Sequence, residues 1–296
     1  MSEGATVLQR TLARGRDLAD VVRTMKAMAA SSISQYENAV HALNEYDLSM
    51  QLALAASFRQ ALSEPPAHSR RDDGIGVLVF GSDQGLVGQF NEQLAGFVAE
   101  QLAALPGQRH IWVVGERVRA RLDENGLRAD ASLPLPGSIQ AITALAGRLL
   151  IDLENARAQG LVDQVYLFHN RPLAGALYQP ASQRLLPLDA AWQRQLAQRP
   201  WPTQSLPEVL FDNLRTRLVL VREYLQVSLF RACAESMASE NACRLAAMQR
   251  AEKNIETLLE NVQRQYHRIR QSAMDEELFD VLVGVESLDV RQVPRK

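Results

Sequence analysis

The chain has 296 residues, 47% of them hydrophobic and 22% charged, with a formal net charge of −2. That is enough apolar material for a packed core plus an extension, and it excludes a disordered tail or a fibre. The near-neutral balance also argues against nucleic-acid binding, which leaves a strong basic excess.

From Thr6 to Leu62 there is no proline and Gly15 is the only glycine. Apolar residues at Leu18, Val22, Met25, Ala29, Ile33, Tyr36, Val40 and Leu43 step by three and four, which predicts one long helix with a narrow apolar seam. Within it, Met25 to Ser32 (MKAMAASS) crowds small side chains where another helix can approach closely. Glu64-Pro65-Pro66 and the polar SRRDDG then read as a linker.

Ile75 to Phe80 (IGVLVF) is a short apolar run, as expected of a buried strand. It feeds GSDQGLVGQFN (Gly81 to Asn91) and an amphipathic helix to about Leu105, the start of an α/β unit. A glycine turn in that position can hold phosphate on backbone N–H groups. This one lacks the lysine and hydroxyl of the P-loop and the spacing of the dinucleotide fingerprint, so a tight turn is the simpler reading. His110 to Val114 predicts a second strand, Glu116 to Asn125 a helix closed by Gly126, and Ser138 to Ala158 another helix. Val162 to Asn170 predicts a strand with the extended segment Leu177 to Leu188 beside it. Trp192 to Pro207 carries three prolines and ends the inserted part.

From Glu208 to Val285 there is again no proline, and Gly284 is the only glycine. Ile255, Leu259, Val262, Tyr266, Ile269 and Ala273 keep the three-four stepping of a coiled-coil seam. Such a helix would run about 115 Å and is marginal alone in water, so it needs the first helix as an antiparallel partner. The fold expected is therefore α/β, a Rossmann-like mixed sheet inserted between N- and C-terminal long helices that form an antiparallel coiled coil. Its segments are 1–64, 65–205 and 206–296.

Candidate chemistry is sparse. The five histidines, at 41, 68, 110, 169 and 267, have no ligand spacing, which makes a metal site improbable, and no nucleophile motif is visible. Asp275, Glu276, Glu277 and Asp280 point in different directions on a helix and read as a collar. Cys233 and Cys243 lie roughly 15 Å apart along one helix, too far for a disulfide, and read as buried thiols. No apolar run reaches the roughly eighteen residues of a membrane helix, and the first twenty residues are too charged for a signal peptide. The reading is a chain with no active site and no cofactor.

Three blocks then carry a resemblance: TMKAMAASS (Thr24 to Ser32), GSDQGLVGQFN, and LFRACAESMASENACRLAAMQRAEKN with its continuation to YHRIRQSAMDEELFDVLVGVESL. Over essentially its full length the chain resembles the γ subunit of F-type ATP synthases, the central-stalk rotor. The resemblance implies a rod inside the ring of α and β subunits, an insert resting on the membrane c ring with the ε subunit alongside, and ATP chemistry on β. It implies a peripheral place on the cytoplasmic face of a bacterial inner membrane, reached through partners only. Met25 and Lys26 match the segment near an acidic turn of β, and Arg270 and Gln271 match the segment that catches a loop of β. Leu278, Phe279, Leu282 and Val285 fall in the tip held in an apolar sleeve. GLVGQFN lacks the family's usual cysteine and paired glycine, Ser32 replaces a common lysine, and Asp289 to Lys296 extends past the usual end. The chain thus reads as a divergent member, proton- or sodium-coupled. The competing reading, on the glycine turn alone, is a free-standing nucleotide- or metabolite-binding α/β protein with dimerising arms, and a plain coiled-coil scaffold is a third.

Overall fold

The computed structural model describes residues 3–61, 74–173, 176–201, 203–205 and 213–289. The linker read at Glu64 to Asp73 and the entry of the last helix at Pro207 lie outside these residues, and so does the tail beyond Asp289. The fold has two compact units, Met1–Met28 with Leu245–Lys296, and Ala29–Arg244.

Two helices run through both units, α1 (Glu3–Ala61) and, as the last of six, α6 (Asn213–Asp289). In the first unit α1 turns Ala5, Leu8, Leu12, Gly15, Ala19, Val22 and Lys26 out of solvent, a three-four alternation without a break. On α6 the half-buried positions are Glu252, Ile255, Leu259, Val262, Tyr266, Ile269 and Ala273. Lys26 pairs with Glu252, Gly15 lies against Leu259, and Gly4 faces Ile269. Rising numbers on one helix meet falling numbers on the other, so the pair is antiparallel.

Leu18, expected in the seam, is 53% exposed. The frame passes through Gly15 and Ala19 instead, and the absence of a side chain at Gly15 makes room for Leu259, whose Cδ2 would stand 2.6 Å from a Cβ there. Side-chain volume, not hydrophobicity, sets that layer.

The second unit is an α/β/α sandwich. Its strands are β1 (Gly74–Phe80), β2 (Gln108–Val114), β3 (Ala131–Leu133), β4 (Gln164–Leu173) and β5 (Ala176–Leu186), with α2 (Phe90–Ala103), α3 (Glu116–Glu124), α4 (Ile139–Ala158) and α5 (Ala190–Gln198) between them. The sheet order is β3-β2-β1-β4-β5; β5 runs antiparallel to β4, and the other pairs are parallel. Every residue of β1 is buried, as a central parallel strand covered on both faces requires. Leu78, Phe80, Val165 and Leu167 pack with Ile142, Leu149 and Leu153 of α4 and Leu225 and Leu229 of α6. Ile75, Val77, Val79 and Phe168 pack on the other face with Leu94, Val98 and Leu102 of α2 and Val118 and Leu122 of α3.

Two elements differ from the sequence reading. The three-residue β3 is too short to show a period. The stretch around Trp192 contains a helix, α5, capped by Asp189, whose carboxylate accepts from Ala191 N at 2.7 Å. Its Leu196 and Ala197 pack on Leu54, Ala55 and Phe58 of α1 with Trp192 alongside, so burial overrides the prolines that follow.

Candidate functional site

In open parallel sheets a ligand binds outside the carboxyl ends of the strands where the order reverses. Here that place is the end of β1 beside β4. The chain's own residues fill it. Ser236 of α6 donates to the carbonyl of Phe80 at 3.0 Å, and Ser239 donates to that of Asn170 at 3.3 Å. Asn170 in turn donates to the carbonyl of Phe90 at the start of α2, 3.1 Å away. Ser236, Ser239 and Asn170 are all completely buried.

The glycine turn is closed in the same way. Ser82 N donates to Asn91 Oδ1 and Asn91 Nδ2 donates to Ser82 Oγ, at 3.1 and 2.9 Å. Asp83 accepts from Glu116 N through one oxygen and from Leu135 N through the other, both at 2.8 Å. The N-terminus of α3, where an anion would be favoured, therefore already holds a carboxylate. Gly115, at φ 114°, allows the turn to come this near, since a Cβ there would lie 2.8 Å from Ser82 N. Leu86 sits on the turn with φ 64° and is 61% exposed. A bulky side chain held outward in the left-handed region is uncommon, and periodicity gave no sign of it.

Glu240, one turn beyond Ser236, is buried and ion-paired with Arg244 at 2.6 Å. Burial pushes its carboxyl above the usual range, Arg244 pulls it partly back, and Asp83 adds to the rise. The buried Cys233 thiol is pushed far up by desolvation, with Glu240 adding to the effect, so it carries no reactive thiolate. Cys243 is buried as well. Among the described residues no three His, Cys, Asp or Glu side chains gather as metal ligands. His68 lies outside them.

The residues matched to partner contacts divide by exposure. Lys26 Nζ meets Glu252 Oε2 at 2.5 Å, with Arg23 Nε 3.8 Å from the other oxygen. Met25 beside it is half-buried, whereas Arg270 and Gln271 are exposed. Leu278, Phe279 and Leu282 are all more than half exposed, and so is Val281, which the sequence reading did not single out. At about 100° per residue these four and the half-exposed Met274 cover one side of α6, while Glu276, Glu277 and Asp280 occupy the other. Val281 and Met274 were recoverable from the same helical stepping. Val285 belongs to α6, and its side chain is outside the described residues. An apolar arc of this size in water marks a surface that a partner covers.

In the second unit the seam continues through Ala29, Ile33, Tyr36, Val40, Leu43, Asp47, Met50 and Leu54. Asp47, 8% exposed, pairs with Arg231 of α6 at 2.8 Å. His169 on β4 bonds Glu235 of α6 through Nε2 at 2.8 Å. Among the described residues no helix is long and apolar enough to cross a membrane.

A family model described as ATP synthase matches residues 5–288. A protein named ATP synthase gamma chain from Glaesserella parasuis is 25% identical over 96% of this chain and 99% of its own length. Another of that name from Brevibacillus brevis is 24% identical over 97% and 99%. Solved structures share the fold. The Euglena gracilis mitochondrial ATP synthase, in its OSCP, F1 and c-ring assembly in rotational state 3, contains a chain that superposes with a TM-score of 0.62 at 14% identity, covering 99% of this chain and 97% of that one. The central stalk and c-ring structure of the Tetrahymena thermophila mitochondrial ATP synthase gives 0.55 at 22% identity, covering 78% and 99%. Nothing in these matches supports the reading as a free-standing nucleotide-binding protein, and the filled crevice leaves that reading no place for its ligand.

Proposed function

The chain belongs to the ATP synthase family, among its gamma chains, and from that premise we propose that it is the central-stalk rotor subunit of an F-type ATP synthase. It transmits torque between a membrane c ring and a catalytic hexamer of α and β subunits, with the ε subunit beside it. The observation that carries this is the apolar arc at Met274, Leu278, Phe279, Val281 and Leu282, left uncovered on a helix whose remaining seam is paired with α1. Dispersion and hydrophobic contact are non-directional, so an apolar bearing surface changes little in energy as a shaft turns, whereas fixed salt bridges would hold one angle.

The working parts are the N-terminal helix to residue 64, the sheet-bearing foot over 65–205 and the C-terminal helix from 206. In this reading the chain does no chemistry; ATP is made and hydrolysed on β. It holds no cofactor. Arg270, Gln271 and the tip, with Val285 continuing it, face the hexamer, as does Met25. Lys26 sits close by, and its pairing with Glu252 makes it a brace for the segment that β approaches. The protein sits peripherally on the cytoplasmic face of a bacterial inner membrane, held there by its partners.

The test is assembly with α and β followed by crosslinking. With Arg270→Cys or Leu278→Cys joined to β, multisite ATP hydrolysis should stop and return on reduction. Undiminished turnover of the crosslinked complex sinks the rotor reading.

A further inference from the structure

We infer that the cavity between β4, β5 and α6 is a binding site for a small, singly protonated oxyanion, of which hydrogen phosphate is the type. The inference is independent of the rotor reading. The cavity, about 310 Å³, is lined by His169 and Arg171 of β4, Ser182 of β5, and Ser228, Arg231 and Glu235 of α6. At roughly 30 Å³ per water in the liquid, it has room for such an ion and part of its hydration shell.

The lining follows from the two periods that meet there. Residues 169 and 171 lie two apart on β4 and so share a face of the sheet, while 228, 231 and 235 step by three and four along α6 and share a face of the helix. Two guanidinium groups and two hydroxyls thus converge on one space. Arg171 stands opposite Gln179 in the strand register. With its amide turned so that the oxygen faces Arg171, Gln179 accepts from Nη2 and Nε at 2.7 and 2.8 Å and fixes the guanidinium. Glu235 is the single acid in the lining, and its Oε2 is engaged by His169.

Two buried polar atoms on these walls are unspent. Arg231 donates through Nη2 to Asp47 at 2.8 Å and to Asn44 at 3.4 Å, but its Nε has no partner. His169 is 6% exposed, and its Nδ1 has no partner either. Buried polar atoms in folded proteins are nearly all satisfied, so both call for a ligand. They are of opposite kinds. An ionised carboxylate only accepts, so Nε2 facing Glu235 carries the hydrogen and Nδ1 is left as an acceptor. Arg231 Nε is a donor. A hydrogen phosphate supplies both complements, its hydroxyl donating to Nδ1 while its oxygens accept from Arg231 and Arg171. Sulfate, equal in size and lacking a hydroxyl near neutral pH, leaves Nδ1 unmatched.

The experiment is calorimetric titration of the full chain with sodium phosphate and with sodium sulfate, at pH 7.5 and constant ionic strength. Phosphate should bind saturably and sulfate at least tenfold more weakly. Arg171→Gln, an exposed position whose change spares the core, should weaken phosphate at least tenfold. Arg148→Gln, on the far exposed face of α4, should leave it unchanged. Circular dichroism of each variant verifies the fold. Absence of saturable phosphate binding, equal binding of sulfate, or retention of affinity in folded Arg171→Gln overturns the site.

Discussion

Lys26 and Glu252 face each other at 2.5 Å in the seam of the antiparallel pair formed by α1 and α6, one on each helix, at positions where their neighbours are apolar. A charged pair in an apolar seam is satisfied in one axial alignment and left unpaired when the helices slip. Lys26→Met should lower stability by about 1 kcal/mol, because Glu252 is then mostly buried with only the more distant Arg23 to compensate it. The exchanged pair Lys26→Glu with Glu252→Lys should recover most of the loss. Urea unfolding of the four variants gives the coupling, and purely additive effects would show that the two charges do not act together.

Asp83 ties the turn after β1 to the start of α3 and to Leu135 through its two oxygens. Asp83→Ala should cost about 1–2 kcal/mol, since two backbone N–H groups lose a charged acceptor. Asp83→Asn keeps one acceptor and should fall between. The ordering wild type, Asn, Ala in thermal denaturation is the check.

Gly115 has φ 114° with Ser82 backbone atoms around the place a Cβ would take. Backbone cannot rotate away as a side chain can, so Gly115→Ala should lower stability by about 2 kcal/mol or more. Gly15→Ala should be far milder, because the atom it meets is the end of the flexible Leu259 side chain and alanine favours the helix by about 1 kcal/mol. Equal losses at the two sites would contradict the distinction.

Glu240 makes stability depend on pH. Its folded carboxyl is raised above the reference value of 4.5, chiefly by burial, so between the unfolded and folded values the native state holds the extra proton. Its contribution is therefore greatest at low pH, falls as pH rises through the raised value, and is flat above it. The advantage of Glu240→Gln over wild type should grow from about pH 4.5 upward and then level off. A difference constant across that range would assign the ionisation elsewhere.

Cys233, 1% exposed, should react with N-ethylmaleimide at pH 8 about a hundredfold more slowly in the native chain than in denaturant, since it needs local opening and a thiolate that burial opposes. Peptide mass spectrometry reads the site directly. Rapid native labelling would show that this part of α6 opens readily.

The long helices were legible because nothing in Thr6 to Leu62 or Glu208 to Val285 stops a helix and the seam repeats. The strands β1, β2 and β4 were legible as apolar runs bounded by turn residues. What escaped depended on contacts distant in sequence. Gly15 occupies the seam because of Leu259, and α5 forms because Leu54 and Phe58 offer it a surface. The closed crevice required α6 to lay Ser236 and Ser239 across strand ends more than sixty residues earlier. A local reading of the glycine turn could say that it lacked phosphate-binding residues. It could not say that a serine from another helix already stood there.

The buried serine bonds from α6 to Phe80 and Asn170 have a mechanical corollary. A twisting load applied to the sheet enters the helix through interior joints shielded from water, much as a spline carries load from hub to spindle. Slippage between the two would require breaking several of these joints together. Compliance must then reside further along the spindle, where side chains are less enclosed, and elastic energy would accumulate there rather than in the hub.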